Sequence, residues 1–183
     1  ALVTGAAGNG MGRSIALTLA REGAAVVVNY RTSAESASAI VSYIERQGGR
    51  ALAVQADVFT AEGCARLVET AVAHYGQIDI CVIGPGAGWH PEPPDQVDSA
   101  AALEDACAEL APVHYLLPLV LPGMYQRRWG CIIGLGLLRP YTSPAYAYNV
   151  GKAARTEALL LAKDEAWKHG VTINVMGPGP VPG

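Results

Sequence analysis

The sequence has few charged residues, no long hydrophobic run and no cluster of positive charge. Charged residues make up 16% of the chain and hydrophobic residues 51%, so there is apolar material for a core and no charge excess of the kind that keeps chains disordered. The longest apolar stretch, residues 115–124, contains Pro118, Pro122 and Gly123 and is shorter than a membrane span. The 13 Lys and Arg are scattered and the net charge is −3. These absences predict a folded domain that neither spans a membrane nor binds nucleic acid.

The four cysteines and four histidines lack the spacings of metal sites. The cysteines are far apart in the chain and no two histidines have metal-ligand spacing, so no metal is expected. We interpret the cysteines as small buried residues in a reducing compartment. The chain opens on a strand-like run without a signal-peptide pattern, which favours a cytoplasmic location.

Short apolar or β-branched runs alternate with longer stretches that have helical spacing. The predicted strands are residues 1–4, 24–29, 51–55, 78–83, 130–135 and 171–175. The predicted helices are residues 12–22, 34–47, 61–75, 100–124 and 144–169. Strands without polar alternation that are joined by helices require a parallel sheet covered on both faces. The pattern predicts one doubly wound α/β domain over residues 1–183.

The fourth predicted helix is irregular. Pro112, Pro118 and Pro122 lie within residues 100–124, and an interior proline removes a backbone donor and crowds the preceding turn. We expect a broken or kinked helix there.

A glycine-rich turn, residues 4–13, lies between the first predicted strand and the first predicted helix. Its Gly5, Asn9, Gly10, Met11 and Gly12 permit a tight turn, let the backbone approach a pyrophosphate and leave the helix amides facing it. The alternative is an ordinary turn between a strand and a helix. The surrounding strand–turn–helix–strand order favours dinucleotide binding.

The second predicted strand ends without a carboxylate. An acidic residue there would accept the ribose 2′-hydroxyl of NAD, but residues 29–33 read Asn-Tyr-Arg-Thr-Ser. Arg31 is available to pair with a 2′-phosphate, which favours NADP(H) over NAD(H). Alternatively, Arg31 is a solvated loop residue.

Tyr148 and Lys152 are four residues apart in the last predicted helix and therefore share a face. A neighbouring ammonium favours the phenolate, so we expect Lys152 to bring the pKa of Tyr148 down and to prepare it for proton transfer to a carbonyl oxygen. Ser143 and Pro144 resemble an N-cap and a first helical residue. Ser143 could instead be a hydrogen-bond donor in the site.

With these pieces in order, the chain resembles the short-chain dehydrogenase/reductase family over its whole length, and most closely the NADPH-linked 3-ketoacyl-carrier-protein reductases. The resemblance implies a Rossmann-like sheet with strand order 3-2-1-4-5-6. It also implies that Tyr148 is the general acid/base and that Lys152 holds the nicotinamide ribose. Further cofactor contacts that it implies are Asp57 and Val58 at the adenine, Gly84, and Pro178 and Gly179 beside the nicotinamide.

Two residues of the family's catalytic tetrad are missing. The family serine, thirteen residues before the tyrosine, falls on Leu135, and the family asparagine falls near Glu109. The turn at Gly5 is one residue longer than usual, and Ile-Gly-Pro-Gly replaces the Asn-Asn-Ala-Gly stretch at residues 83–86. We interpret Glu109 as a solvated charge on the helix. The Trp89 loop supplies either an aromatic wall or a rigid surface turn.

These observations predict an NADP(H)-dependent oxidoreductase that acts on a carbonyl/alcohol pair, with a 3-ketoacyl thioester among the candidate substrates. The alternative is a non-catalytic relative that binds dinucleotide as a structural or sensing ligand. The family also implies a homo-oligomer, a dimer or tetramer, that associates through residues 100–124 and 144–169. We expect both ends to be truncated, with the substrate lid and the last strand of the family lying beyond residue 183.

Overall fold

The computed structural model describes residues 1–89, 91–137 and 145–178. The strands are β1 (Leu2–Val3), β2 (Ala25–Tyr30), β3 (Arg50–Gln55), β4 (Ile80–Ile83), β5 (Gly130–Leu135) and β6 (Val171–Met176). The helices are α1 (Met11–Arg21), α2 (Ala34–Arg46), α3 (Ala61–Tyr75), α4 (Ser99–Arg127) and α5 (Tyr146–Lys168). Strands and helices therefore alternate as the sequence predicts, apart from the shorter β1.

The six strands form one parallel sheet in the order β3-β2-β1-β4-β5-β6. This order confirms the predicted doubly wound fold. Successive residues of β1 point to opposite faces: Leu2 joins a buried cluster with α3, α4 and α5, and Val3 joins a second cluster with α1 and α2. Both faces of the sheet are thus covered, as buried parallel strands require. The order reverses between β1 and β4, and ligands bind at this point in doubly wound folds.

Helix α4 runs without a break from Ser99 to Arg127, so the predicted break at its prolines is wrong, and the alternative, a kink, stays a prediction. Asp98 caps its start by accepting a hydrogen bond from the Ala101 amide at 2.9 Å. Pro118 and Pro122 are exposed, and the carbonyls that lose a partner belong to residues on the solvent side, His114 and Pro118, where water can bind them. Packing against α3 and α5 further offsets the lost hydrogen bonds.

The same helix is long and apolar enough to cross a membrane by length and composition alone. Helices in the cores of ordinary domains pass this test too, and a third of its most apolar window, 33%, is buried inside the fold. A single such helix is therefore weak support for a membrane span.

The cysteines are only partly as predicted. Cys64 and Cys81 are buried, and burial raises the pKa of their thiols to about 11 and about 12, respectively. Cys131 is half-buried, however, and Cys107 is exposed on α4. All four are free thiols.

Candidate functional site

The glycine-rich turn joins β1 to α1 at the reversal point of the sheet. Gly5 has φ +61°, a left-handed conformation that favours glycine. A Cβ on Gly12 would lie 2.7 Å from the Gly5 carbonyl oxygen, so only glycine lets α1 start this close to the turn. Helix α1 begins at Met11 after Gly10, which provides no side-chain cap. Its first amides are therefore open to an anion.

Asn29 fastens this turn to the neighbouring strands, a role that the sequence analysis missed. It is 2% exposed; its Oδ1 accepts a hydrogen bond from the Gly5 amide at 3.1 Å, and its Nδ2 donates to the Ala56 carbonyl at 3.0 Å. One side chain thus connects the ends of β1, β2 and β3. The signal in the sequence is a lone polar residue at the end of an otherwise apolar strand.

A cleft of about 260 Å³ opens beside the turn. Among the predicted site residues, Gly5, Arg31, Asp57 and Val58 line it. The Arg31 guanidinium lies 5.5 Å from the centre of the Phe59 ring, and Asp57 Oδ1 accepts a hydrogen bond from the Phe59 amide at 3.0 Å. The turn, the end of β2 and the end of β3 therefore line one cleft.

A larger cavity of about 560 Å³ lies at the other end of α1 and α2 and contains none of the predicted residues. Arg21, Gln47 and Arg50 line part of it. Both helices end there, so the cavity is bordered by helix carbonyl ends instead of the free amides that a pyrophosphate binds, and its positive charge comes from Arg21 and Arg50. The smaller cleft is the better candidate.

Tyr148 and Lys152 lie on one face of α5, as predicted. Lys152 Nζ is 5.5 Å from the centre of the Tyr148 ring, and the half-exposed Trp89 packs edge-on against that ring at 5.1 Å between centroids. The expected fall in the pKa of Tyr148 is wrong: burial and then the Glu109 carboxylate raise this pKa, whereas Arg155 lowers it. Helix α5 begins at Tyr146. Ser143 and Pro144, predicted to start it, lie outside the described residues.

Glu109 is buried, so its interpretation as a solvated charge is wrong. Its side chain is 1% exposed and forms ion pairs of 3.0 Å with Lys152 Nζ and of 3.0 Å with Arg155 Nη1. Its Oε1 also accepts a hydrogen bond from the Ala87 amide at 2.9 Å. Burial lowers the pKa of Lys152, Glu109 raises it and Arg155 lowers it. Glu109 therefore contacts the lysine from near the helix position that is predicted for the family asparagine.

The loop after β4 completes the site. Gly84 donates its amide hydrogen to Thr4 Oγ1 at 2.9 Å, and a Cβ on Gly5 would lie 3.2 Å from the Pro85 ring. Leu135, which is predicted to replace the family serine, is 5% exposed and ends β5 beside Gly84. Pro178 follows β6, and Gly179 lies outside the described residues. The Leu135 side chain has no hydroxyl that could donate a hydrogen bond.

The sequence matches known reductases. Elsinochrome reductase 1 of Elsinoe fawcettii is 50% identical over 86 residues, 47% of this chain and 32% of that protein. A 3-oxoacyl-(acyl-carrier-protein) reductase of Staphylococcus epidermidis is 32% identical over 189 residues, 98% of this chain and 73% of that protein. The aligned part of the chain thus spans about a third of the first relative's length and about seven-tenths of the second's.

Solved structures show the same fold. A metagenomic short-chain oxidoreductase in complex with NADP superposes with a TM-score of 0.88 and 28% identity, over 99% of this chain and 82% of that one. A 7α-hydroxysteroid dehydrogenase complexed with NADH and 7-oxo glycochenodeoxycholic acid superposes with a TM-score of 0.88 and 27% identity, over 97% of this chain and 69% of that one. The family model described as short chain dehydrogenase matches residues 1–182. The chain belongs to the short-chain dehydrogenase family of oxidoreductases.

Proposed function

We propose that this chain is an NADP(H)-dependent oxidoreductase that reduces a carbonyl group, with Tyr148 as the proton donor. The observation that carries the proposal is the pairing of Tyr148 with Lys152 on α5, where the ammonium lies 5.5 Å from the centre of the phenol ring. Both side chains lie near the loop that leaves the sheet beside the glycine-rich turn. In this proposal the chain is a single dinucleotide-binding domain.

The cleft residues fit a dinucleotide with a 2′-phosphate. Helix α1 presents its uncapped amides beside the turn, and the end of β2 offers Arg31 and no carboxylate. NADP(H) is therefore favoured over NAD(H); bound there, it would supply the hydride. The residues proposed to hold it are Gly5, Asn9, Gly10, Met11, Gly12, Arg31, Asp57, Val58, Gly84, Tyr148, Lys152, Pro178 and Gly179.

Tyr148 is suited to give a proton rather than to take one. Burial raises the pKa of its phenol, so at neutral pH the group is protonated. When the proton moves to the carbonyl oxygen, the phenolate that forms is stabilised by the positive charge of Lys152. The protonated phenol is the form that can donate a proton to a substrate carbonyl oxygen.

The substrate class is proposed from the relatives and from Trp89. A 3-ketoacyl thioester is the first candidate, since a relative that aligns with 98% of this chain is a 3-oxoacyl-(acyl-carrier-protein) reductase. The Trp89 indole packs against Tyr148 and is 54% exposed, so it offers an aromatic wall to a substrate carbonyl at the phenol. The four free thiols support a cytoplasmic location.

Leu135 favours a second candidate, a dinucleotide-binding protein without turnover. Removing one hydrogen-bond donor to a developing oxyanion typically costs about 10²- to 10³-fold in rate, and Leu135 has no donor to offer. The chain would then keep its cofactor cleft for a structural or sensing role.

One experiment separates the two candidates. NADPH binding is measured first, and then NADPH oxidation across a panel of carbonyl compounds that includes acetoacetyl thioesters. For an enzyme, we expect Tyr148→Phe to lower kcat by about 10²- to 10⁴-fold with little change in NADPH affinity. Tyr43→Phe, the same change at an exposed residue of α2, should leave kcat unaltered.

Leu135→Ser sharpens the result. A latent enzyme should gain rate when the hydroxyl returns to this position, whereas a binding protein should not. NADPH binding without any turnover that depends on Tyr148, in both the parent chain and Leu135→Ser, would contradict the proposed activity.

A further inference from the structure

Glu109, Lys152 and Arg155 form a buried cluster of charges beside Tyr148. Both carboxylate oxygens of Glu109 are used: Oε1 faces Lys152 Nζ at 3.0 Å and the Ala87 amide at 2.9 Å, and Oε2 faces Arg155 Nη1 at 3.0 Å. The side chains of Glu109 and Arg155 are 1% and 0% exposed. The ion pairs of Glu109 are therefore buried in the fold and are not contacts on the protein surface.

Arg155 connects the cluster to the sheet. Its guanidinium donates to the carbonyls of Ile83 and Gly84, each at 3.3 Å, where β4 ends. Glu109 therefore lies between a cation fixed to the sheet and the lysine of the proposed site. Two cations and one anion leave the cluster with one net positive charge.

We propose that Glu109 is a positioning residue that holds the Lys152 ammonium charged beside Tyr148, and that Arg155 is the partner that lets this carboxylate be buried. Glu109 lies near the helix position predicted for the family asparagine, and it contacts the lysine by an ion pair. The effect on kcat rests on the proposed function, whereas the effect on the protonation of Lys152 does not.

The physical reason is the balance of effects on the protonation of Lys152. Burial alone favours a neutral amine, and Arg155 acts in the same direction. Among the described residues, the charged or titratable groups that face Lys152 are Glu109 from α4 and Arg155 and Tyr148 from α5. Only Glu109 opposes the loss of the proton, and a neutral lysine cannot stabilise the Tyr148 phenolate.

Glu109 does not pass protons to water. Its oxygens are enclosed and each faces an N–H donor, so the carboxylate lacks an open route to solvent among the described residues. Its effect on catalysis is therefore electrostatic, through the charge that it holds on Lys152 and through the raised pKa of the Tyr148 phenol.

The direct test is the titration of the lysine amines by NMR of protein labelled with ¹⁵N-lysine. The chain has only three lysines, Lys152, Lys163 and Lys168, so the signals can be assigned by substitution. In Glu109→Gln, we expect the titration midpoint of Lys152 to move at least about one pH unit lower, because an opposite charge at this distance has been removed. An unchanged midpoint would overturn the proposal.

Glu165→Gln is the matched control. It removes a carboxylate that pairs with Lys168 at 2.8 Å on the exposed side of α5. We expect this variant to leave the Lys152 midpoint where it is in the parent chain.

The kinetic test follows the pH dependence of kcat for carbonyl reduction. In Glu109→Gln, the loss of kcat with rising pH should begin at lower pH, with KM little changed, because without this carboxylate both the Lys152 ammonium and the Tyr148 phenol lose their protons at lower pH. A fall in kcat that is equal at every pH would indicate a merely structural role and would contradict the proposal. The parent chain could reduce no carbonyl while the Lys152 midpoint still moves in Glu109→Gln. That result would contradict the proposed activity and support the coupling between Glu109 and Lys152.

A double substitution keeps the test valid if Glu109→Gln folds poorly. Glu109→Gln leaves Arg155 buried without its carboxylate, whereas Glu109→Gln with Arg155→Met removes both charges. We expect the single variant to lower Tm by on the order of 10 °C and the double variant to recover most of that loss. Additive effects of Glu109→Gln and Arg155→Met on Tm would show that the pair is not coupled and would overturn the proposal.

Discussion

Arg31 is the residue on which the proposed cofactor preference depends. It lines the cleft at the end of β2 and lies over the Phe59 ring, which holds its guanidinium at the cleft wall. Arg31→Glu should raise the Kd for NADPH at least about tenfold more than the Kd for NADH, because the new carboxylate repels a 2′-phosphate and can accept a 2′-hydroxyl. Fluorescence titration with each nucleotide measures both values.

Arg46→Glu is the control for this change in charge. Arg46 ends α2, about 18 Å along the helix from its start near the cleft, and it is exposed. Arg46→Glu should change the Kd for NADPH and the Kd for NADH only slightly, and by the same factor. Equal effects of Arg31→Glu on NADPH and NADH would contradict the NADP(H) assignment.

Local patterns revealed some site residues and concealed others. The glycines of the turn are close together in the sequence, and so are Tyr148 and Lys152. Each group therefore forms a motif that can be recognised from the sequence alone. Glu109 and Arg155 are 46 residues apart, and each alone looks like a solvated charge on a helix. Only the packing of α4 against α5 brings them together, and this is why the burial of Glu109 was not predicted.

Helix α4 is the element in which packing overrides local preference. An exposed interior proline is about 3 kcal/mol less favourable than alanine in a helix, and its stiffening of the unfolded chain recovers about 1 kcal/mol at most. Pro118→Ala should therefore raise the free energy of unfolding by about 2 kcal/mol and Tm by about 4–8 °C. Thermal unfolding followed by circular dichroism tests this.

Pro112→Ala is the comparison within the same helix. Pro112 is buried, so its replacement also removes packed atoms and should stabilise the chain less. A Tm for Pro118→Ala at or below that of the parent chain would contradict this account of α4.

The remaining strands and helices could be predicted from the sequence because several independent patterns indicate each of them. Each strand is a short apolar run between helices, and parallel pairing is the arrangement that buries both faces. Proline was misleading in α4 because the rule for helix interiors assumes that the freed carbonyl has no other partner, whereas His114 and Pro118 are exposed. Helix ends were predicted to within a few residues, which is the usual disagreement at frayed ends.

At the scale of the whole molecule, the outer sides of α4 and α5 expose apolar side chains. Leu103 and Leu161 are 69% and 82% exposed, and Leu119, Val150 and Leu160 are also exposed. We propose that α4 and α5 pair in a homodimer or tetramer through exposed apolar side chains; Val150 and Leu161 share one side of α5 because they are about three turns apart. Light scattering should give at least about twice the single-chain mass of 19.0 kDa.

Leu161→Asp should lower that mass towards 19.0 kDa, because a charge buried at an apolar interface is costly. Val72→Asp places the same charge on an exposed apolar residue of α3, outside the proposed interface, and should leave the mass unchanged. A parent chain that scatters as a monomer would contradict the proposed association.

The buried pairing of Glu109 with Arg155 has a consequence for evolution. A chain that acquired Arg155 alone would carry an enclosed charge without a counterion, a state that typically costs several kcal/mol, whereas Glu109 alone would still face Lys152. Descendants of this chain that keep Arg155 should therefore keep Glu109 as well. In a genome, an arginine three positions after the lysine would then identify relatives that carry a carboxylate at the position of Glu109.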